Sequence, residues 1–385
     1  MRQGASGSSL VSSLLVVVLL VGALAVIQSN AYSASQPATP TTWGKVQEEA
    51  TPSAWGNVQT TNEREPLWSF STSFSVHAQP VVVSETVYVG GVDGVLYALD
   101  LAEGTERWQY QTGGAIEAAP AVVDGVVYVG SDDGAVYALD AVTGEEIWNF
   151  QAGDWFETTP VVADGRVFIG NDDGSLYALD AGTGEELGRF ETGDYIRSSP
   201  VVADGVIYFG SDDTYLYAIS VESGTELWRF QTGDWVRSTP TVADGVVYVG
   251  SDDGVLYAVD AADGTEQWTY QTGDWIETSP EVADGVVYVG SDDGSLYALD
   301  AADGTEVWTF ETGDWVRSSP AVADGVVYVG SDDSNLYAVD AESGTELWRF
   351  RTGGWVRSAP TVADDVVYVG SDDGDVYAIP ASPEP

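Results

Sequence analysis

The sequence predicts an all-β protein: an eight-bladed β-propeller of four-stranded antiparallel blades, closed by a blade shared between the N- and C-terminal ends. Three observations predict it. One 40-residue sentence is written eight times, with proline at Pro80, Pro120, Pro160, Pro200, Pro240, Pro280, Pro320 and Pro360, and glycine at Gly90 and every 40 residues to Gly370. Each copy holds four short apolar runs separated by turn chemistry. The tryptophan-bearing fourth run appears once before the first full copy, and the last copy stops after its third. A fixed period of this length marks a repeat architecture.

The second copy shows the elements in order. Its runs are "EAAPAVV", "VVYVG", "AVYALD" and "EIWNFQ", rich in Val, Tyr, Trp and Phe, the composition of strands too short for helices. Asp124-Gly125 is the first turn, Asp132-Asp133-Gly134 the second and Thr143-Gly144 the third. Glycine after aspartate supplies the positive φ of a tight hairpin. "VVYVG" is apolar almost throughout, so both faces of its sheet are expected to be buried. A four-stranded meander covered on both faces and repeated at this spacing is a propeller blade.

The ends define the closure. "LWSFST", from Leu67 to Thr72, is a fourth run with no copy of its own, and "VYAIP", ending at Pro380, is a third run with no successor. Their pairing completes the eighth blade and removes the exposed edges of an open array.

The third turn and the strand after it read Ala138-x-Asp140-x-x-Thr143-Gly144-x-x-x-Trp148. This resembles the tryptophan-docking motif of the pyrroloquinoline-quinone (PQQ) repeat family, over Leu67 to Pro380. The family holds eight-bladed quinoprotein alcohol dehydrogenases and the propeller subunit of the bacterial outer-membrane assembly (Bam) complex. In this motif Asp140 is expected to accept backbone N–H bonds, Thr143-Gly144 to reverse the chain and Trp148 to fill space between blades. Ser220 replaces the aspartate once, and Glu103, Asp263 and Asp303 replace the threonine. Gly188 stands where Trp68, Trp108, Trp148, Trp228, Trp268, Trp308 and Trp348 stand elsewhere. The resemblance implies architecture and not a bound quinone. The dehydrogenases carry insertions and a vicinal cysteine pair, whereas these repeats have no insertion and the chain has no cysteine.

Composition bounds the function. Sixty-one acidic and thirteen basic residues give a net charge of −48. Such self-repulsion suits concentrated salt, where the Debye length falls to about 3 Å at 1 M. The chain therefore reads as a halophile's protein, haloarchaeal in kind. The same charge argues against a nucleic-acid partner. One histidine and no cysteine argue against a zinc or transition-metal site.

Residues 1–31 read as a signal peptide or N-terminal membrane anchor: Arg2 precedes an apolar run from Leu10 to Ile27, and small residues lead to Ala31. An exported or cell-surface propeller follows, tied to the membrane only through this segment. Residues 32–65 are Ser/Thr/Pro-rich and read as a linker, with "TPTTWGKVQ" echoed by "TPSAWGNVQ" around Trp43 and Trp55. Residues 66–385 hold the propeller, expected to be monomeric.

The "SDDG" turns and "TGDWVRS" crossovers share one face of such a ring. Its aromatic set is Trp155, Tyr195, Trp235, Trp275, Trp315 and Trp355, with Ser75 and Ala115 in the first two copies. These rings serve either as wedges between blades or as a ligand platform. Two residues further on stand His77, Glu117, Glu157, Arg197, Arg237, Glu277, Arg317 and Arg357. They are expected on the innermost strand, facing the axis. Salt bridges such as Glu157–Arg197 and Glu277–Arg317 are one reading; an anion site at Arg317 and Arg357 is the other. The candidate ligand face is the arc Trp235, Trp275, Trp315, Trp355 with Arg317 and Arg357. Calcium at the SDDG turns is disfavoured, because each offers too few carboxylates. The reading is a binding or scaffold module for an envelope protein or polymer, without catalytic residues or resident cofactor. The alternative is a small quinoprotein oxidoreductase using PQQ and calcium.

Overall fold

The computed structural model describes residues 64–382. The segments read as signal or anchor, and all but the last two residues of the linker, lie outside them. Among the described residues there are eight four-stranded antiparallel sheets and no helix. In the second blade the strands are Ala121–Val123, Val126–Gly130, Ala135–Asp140 and Glu146–Gln151. The first strand of every blade touches its counterparts in both neighbouring blades, so the first strands surround the axis and the fourth form the rim.

Local chemistry explains each strand. Asp124 and Gly125 both take positive φ, at 51° and 80°, as a two-residue hairpin of the primed type requires. The second strand is buried along its length, and the outer strand alternates, with Trp148 inward and its neighbours exposed. The glycine ending each second strand is set by close approach: a Cβ on Gly130 would lie 2.7 Å from the Phe156 carbonyl oxygen of the crossover.

The expected closure is present. Trp68 to Ser71 pair antiparallel with Ala378 to Asp375, giving the strand order N-terminal strand, Asp375–Pro380, Val366–Gly370, Thr361–Ala363. Hydroxyls tie blade to blade inside the ring. Ser198 donates to the Ser238 carbonyl at 2.8 Å, Ser238 to Thr278 at 2.9 Å, and Ser358 crosses the closure to Ala78 at 3.0 Å.

The docking motif works between blades. Asp140 Oδ1 accepts the backbone N–H groups of Val142 and Thr143 and the Thr143 hydroxyl at 2.8–3.0 Å. The Trp148 indole donates to the Ala181 carbonyl of the next blade at 3.0 Å and lies against that blade's Gly184, where a Cβ would approach the ring to 2.5 Å. Gly144 in turn receives Trp108 of the blade before. The core is accordingly a chain of apolar clusters along the junctions; Tyr128, Trp148, Val167, Ile169 and Tyr177 belong to one. At the last junction Arg64 stands in for the turn. Its guanidinium lies 4.1 Å over the Trp348 ring and donates to the carbonyls of Pro380 and Ser382.

Candidate functional site

Crossovers and SDDG turns do share one face. Asp252 N–H donates to the Trp235 carbonyl at 2.9 Å, and Gly233 N–H to Asp253 Oδ2 at 2.7 Å. The second aspartate of each turn is consumed locally: Asp133 accepts from Ala135 N–H, the Tyr137 hydroxyl and Gly113 N–H at 2.6–2.9 Å. Among the described residues no three of His, Asp and Glu gather as a metal site.

Six aromatic rings stand on this face, Trp155, Tyr195, Trp235, Trp275, Trp315 and Trp355, each 37–46% exposed. The aspartate before five of these rings is turned inward to its own backbone, as where Asp314 Oδ1 accepts Trp315 N–H at 2.9 Å; Gly354 precedes Trp355. Beneath the rings lie the arginines, 4.1 Å from Trp235, 4.2 Å from Trp315 and Trp355, and 5.2 Å from Tyr195. Tyr195, Trp235, Trp315 and Trp355 thus each have one face on a guanidinium, a cation–π contact, and part of their surface open to solvent, whereas Trp155 and Trp275 have Glu157 and Glu277 in place of the arginine.

The charged residues are not on the innermost strand. His77 precedes the strand Val81–Val83, and its seven counterparts likewise lie in the crossovers. The proline after each, as at Pro80, favours extended backbone and delays the strand. The two salt bridges read from sequence are present, Glu157–Arg197 at 3.4 Å and Glu277–Arg317 at 3.6 Å. The shorter partner was missed: the first aspartate of the preceding blade's SDDG turn. Arg197 reaches Asp172 at 2.7 Å, Arg237 Asp212 at 3.0 Å, Arg317 Asp292 at 2.6 Å and Arg357 Asp332 at 2.8 Å, while His77 reaches Asp372 across the closure at 2.9 Å. Arg317 is nearly fully buried, and both its Nε and Nη2 bond Asp292. Neither Arg317 nor Arg357 is an open anion site.

A signal for this partner was in the repeats. Where the crossover carries Glu117, the preceding turn carries Val92 in place of the aspartate. The rule fails at Glu157 and Glu277, whose preceding turns keep Asp132 and Asp252. Carboxylates then outnumber the cations near them: Arg237 lies 3.8 Å from Asp252 and 3.6 Å from Glu277 while already bonded to Asp212. Burial, reinforced by Glu277, pushes Asp252 up to about 8, and burial with Glu117 pushes Asp132 up to about 7. His77 goes the other way: burial opposes its charge, yet bonds to Asp372 and Glu117 hold it up to about 9.

The family's sequence profile, described as outer membrane protein assembly factor BamB, matches residues 57–120, 112–193, 172–276, 273–320 and 293–382. The chain belongs to this family of PQQ-repeat propellers. No curated protein matches the sequence significantly. Among solved structures it is similar to BamB from Moraxella catarrhalis, with 20% identity, a TM-score of 0.73, and 82% of this chain and 99% of that one covered. The computationally designed Ika8 protein is as similar, with 19% identity, a TM-score of 0.73, and coverage of 80% and 97%. The quinohemoprotein alcohol dehydrogenase from Comamonas testosteroni gives 19%, 0.71, and 85% and 78%. An assembly factor, a design and a dehydrogenase share this fold, so the fold leaves function to the site.

Proposed function

We propose that this BamB-family propeller is an exported, cell-surface binding or scaffold module, and that it engages an envelope protein or polymer through its crossover face. The observation that carries this is the arc of half-exposed tryptophans, Trp235 to Trp355. Aromatic side chains are among the usual carriers of interface energy, and Trp235, Trp315 and Trp355 are each backed by an arginine. The arginines act from below, holding the rings rather than contacting the partner, because Asp212, Asp292 and Asp332 already bind them.

Inner-ring charge supports binding over quinone chemistry. Three glutamates (Glu117, Glu157, Glu277) and seven aspartates (Asp132, Asp172, Asp212, Asp252, Asp292, Asp332, Asp372) face four arginines and His77, ten acids against five bases. PQQ carries three carboxylates, and this surround repels it. The residues present do not fit the group.

The test is a pull-down from native envelope at high salt with the full chain, alongside addition of PQQ and Ca²⁺ with dye reduction by alcohols or sugars. A stoichiometric envelope partner without quinone-dependent dye reduction supports the reading. Dye reduction that saturates with PQQ overturns it.

A further inference from the structure

The junction that lacks a tryptophan differs in three positions at once. At five other junctions one carbonyl accepts both an indole N–H and a tyrosine hydroxyl: Ala181 O takes Trp148 Nε1 at 3.0 Å and Tyr128 at 3.1 Å, and Ala261 O takes Trp228 and Tyr208, both at 3.1 Å. At the equivalent carbonyl, Val221 O, both donors are missing, because Gly188 replaces the tryptophan and Phe168 the tyrosine. Arg166, at a position that is Val or Thr in every other copy, donates to Val221 O instead, at 2.5 Å.

No neighbour has collapsed into the vacated volume. A Cβ on Gly188 would meet nothing within 4 Å, and neither would one on Gly224, whose counterparts Gly184 and Gly264 press on an indole. A cavity of about 320 Å³ remains, lined by Phe168, Leu176, Phe190, Ile207, Ile219 and Arg166 among others. Arg166 is half-buried, and among the described residues it forms no ion pair, in a chain with 61 acids to choose from. A guanidinium carries five N–H donors in a planar fork, so one bond to Val221 leaves others for a ligand oxygen.

We propose that this junction is a binding site for a small aromatic acid: a bicyclic ring of indole size occupies the slot, and its carboxylate meets Arg166. The other blades show that a slot of this build accepts such a ring, packed against aromatic and aliphatic side chains. The carboxylate answers Arg166, the one charged side chain lining the cavity with no counterpart in those blades, through a charge-assisted fork contact. The site lies on the rim, away from the crossover face, and does not depend on the proposed envelope role.

The test uses the full chain at high salt and titrates indole-3-acetate and neutral indole by calorimetry and ligand-observed NMR. Wild type should bind the acid one to one, and indole about tenfold more weakly. Arg166→Gln should reduce the acid to the level of indole. Gly188→Trp, which restores the repeat's own ring, should abolish binding of both while the protein melts no lower. The smaller Gly188→Leu should weaken both. Absence of one-to-one binding by wild type, or binding undiminished in both Gly188 variants, overturns the proposal. So does failure of both variants to fold, since a slot that rejects its sister blades' ring would not take a free one.

Discussion

At the residue scale, four junctions of the crossover face carry stacks three side chains deep: an exposed ring, an arginine under it and a buried aspartate from the blade before. Removing the middle member leaves the aspartate desolvated and unpaired, which costs about 3–5 kcal/mol. Arg317→Ala should therefore lower stability by that amount in denaturant titration, whereas loss of the exposed Arg229, whose ion pair is with Glu226 in its own strand, should cost far less. Equal losses at the two sites would contradict the stack. The buried acids set the pH profile. Burial alone pushes Glu281 from 4.5 up to about 7, so the folded state binds its proton more tightly. Its contribution is full below 4.5 and is lost as pH rises through 7. His77 has the same sign, its stabilisation present below 6.5 and lost as pH rises through about 9. Melting temperature should thus fall from pH 5 to pH 9 at constant salt, and fall less in Glu281→Gln. A rise over that range would contradict the assignment.

At the scale of the element, strands and turns were legible because their causes are local. Turn aspartates and glycines and the apolar runs they separate lie within about ten residues of each other, and the 40-residue period repeats them. The Arg–Asp partners were harder to see, being 25 residues apart in neighbouring blades. Only comparison of columns, Val92 beside Glu117 against Asp172 beside Arg197, exposes them. The charged residues were misplaced onto the inner strand because apolar alternation begins before the proline, while pairing begins after it. Arg166 and Phe168 were overlooked as companions of Gly188 for a related reason: each is unremarkable alone and informative only as a set. Local strain is equally readable. Asp364 and Asp365 both hold positive φ, 50° and 61°, where most blades place glycine second. Asp365→Gly should stabilise by about 0.5–1 kcal/mol in thermal melts, through relief of left-handed strain; a loss of stability would show that the Asp365 side chain matters more than its backbone. Trp148→Ala, by contrast, empties a filled junction and should cost about 3–5 kcal/mol. The outer strand Glu186–Glu191 should exchange its amides faster than Glu146–Gln151, since its junction lacks that packing. Uniform protection would mean that its neighbours compensate fully.

At the scale of the whole molecule, the ring is held by a strand pairing, by Arg64 over Trp348 and by His77 on Asp372, all three spanning the ends of the described chain. A net charge of −48 works against any compact state, so loss of β-sheet signal on dialysis from molar to low salt is expected, and full retention there would contradict the halophile reading. Binding through the crossover face is the central claim, and one paired measurement reaches it most directly: envelope capture and circular dichroism of the full chain carrying Trp315→Ala and Trp355→Ala together. Capture should be lost while the β-sheet spectrum and melting stay close to wild type. A double variant that folds and still captures its partner would contradict the claim, and one that unfolds would show these rings to be wedges between blades.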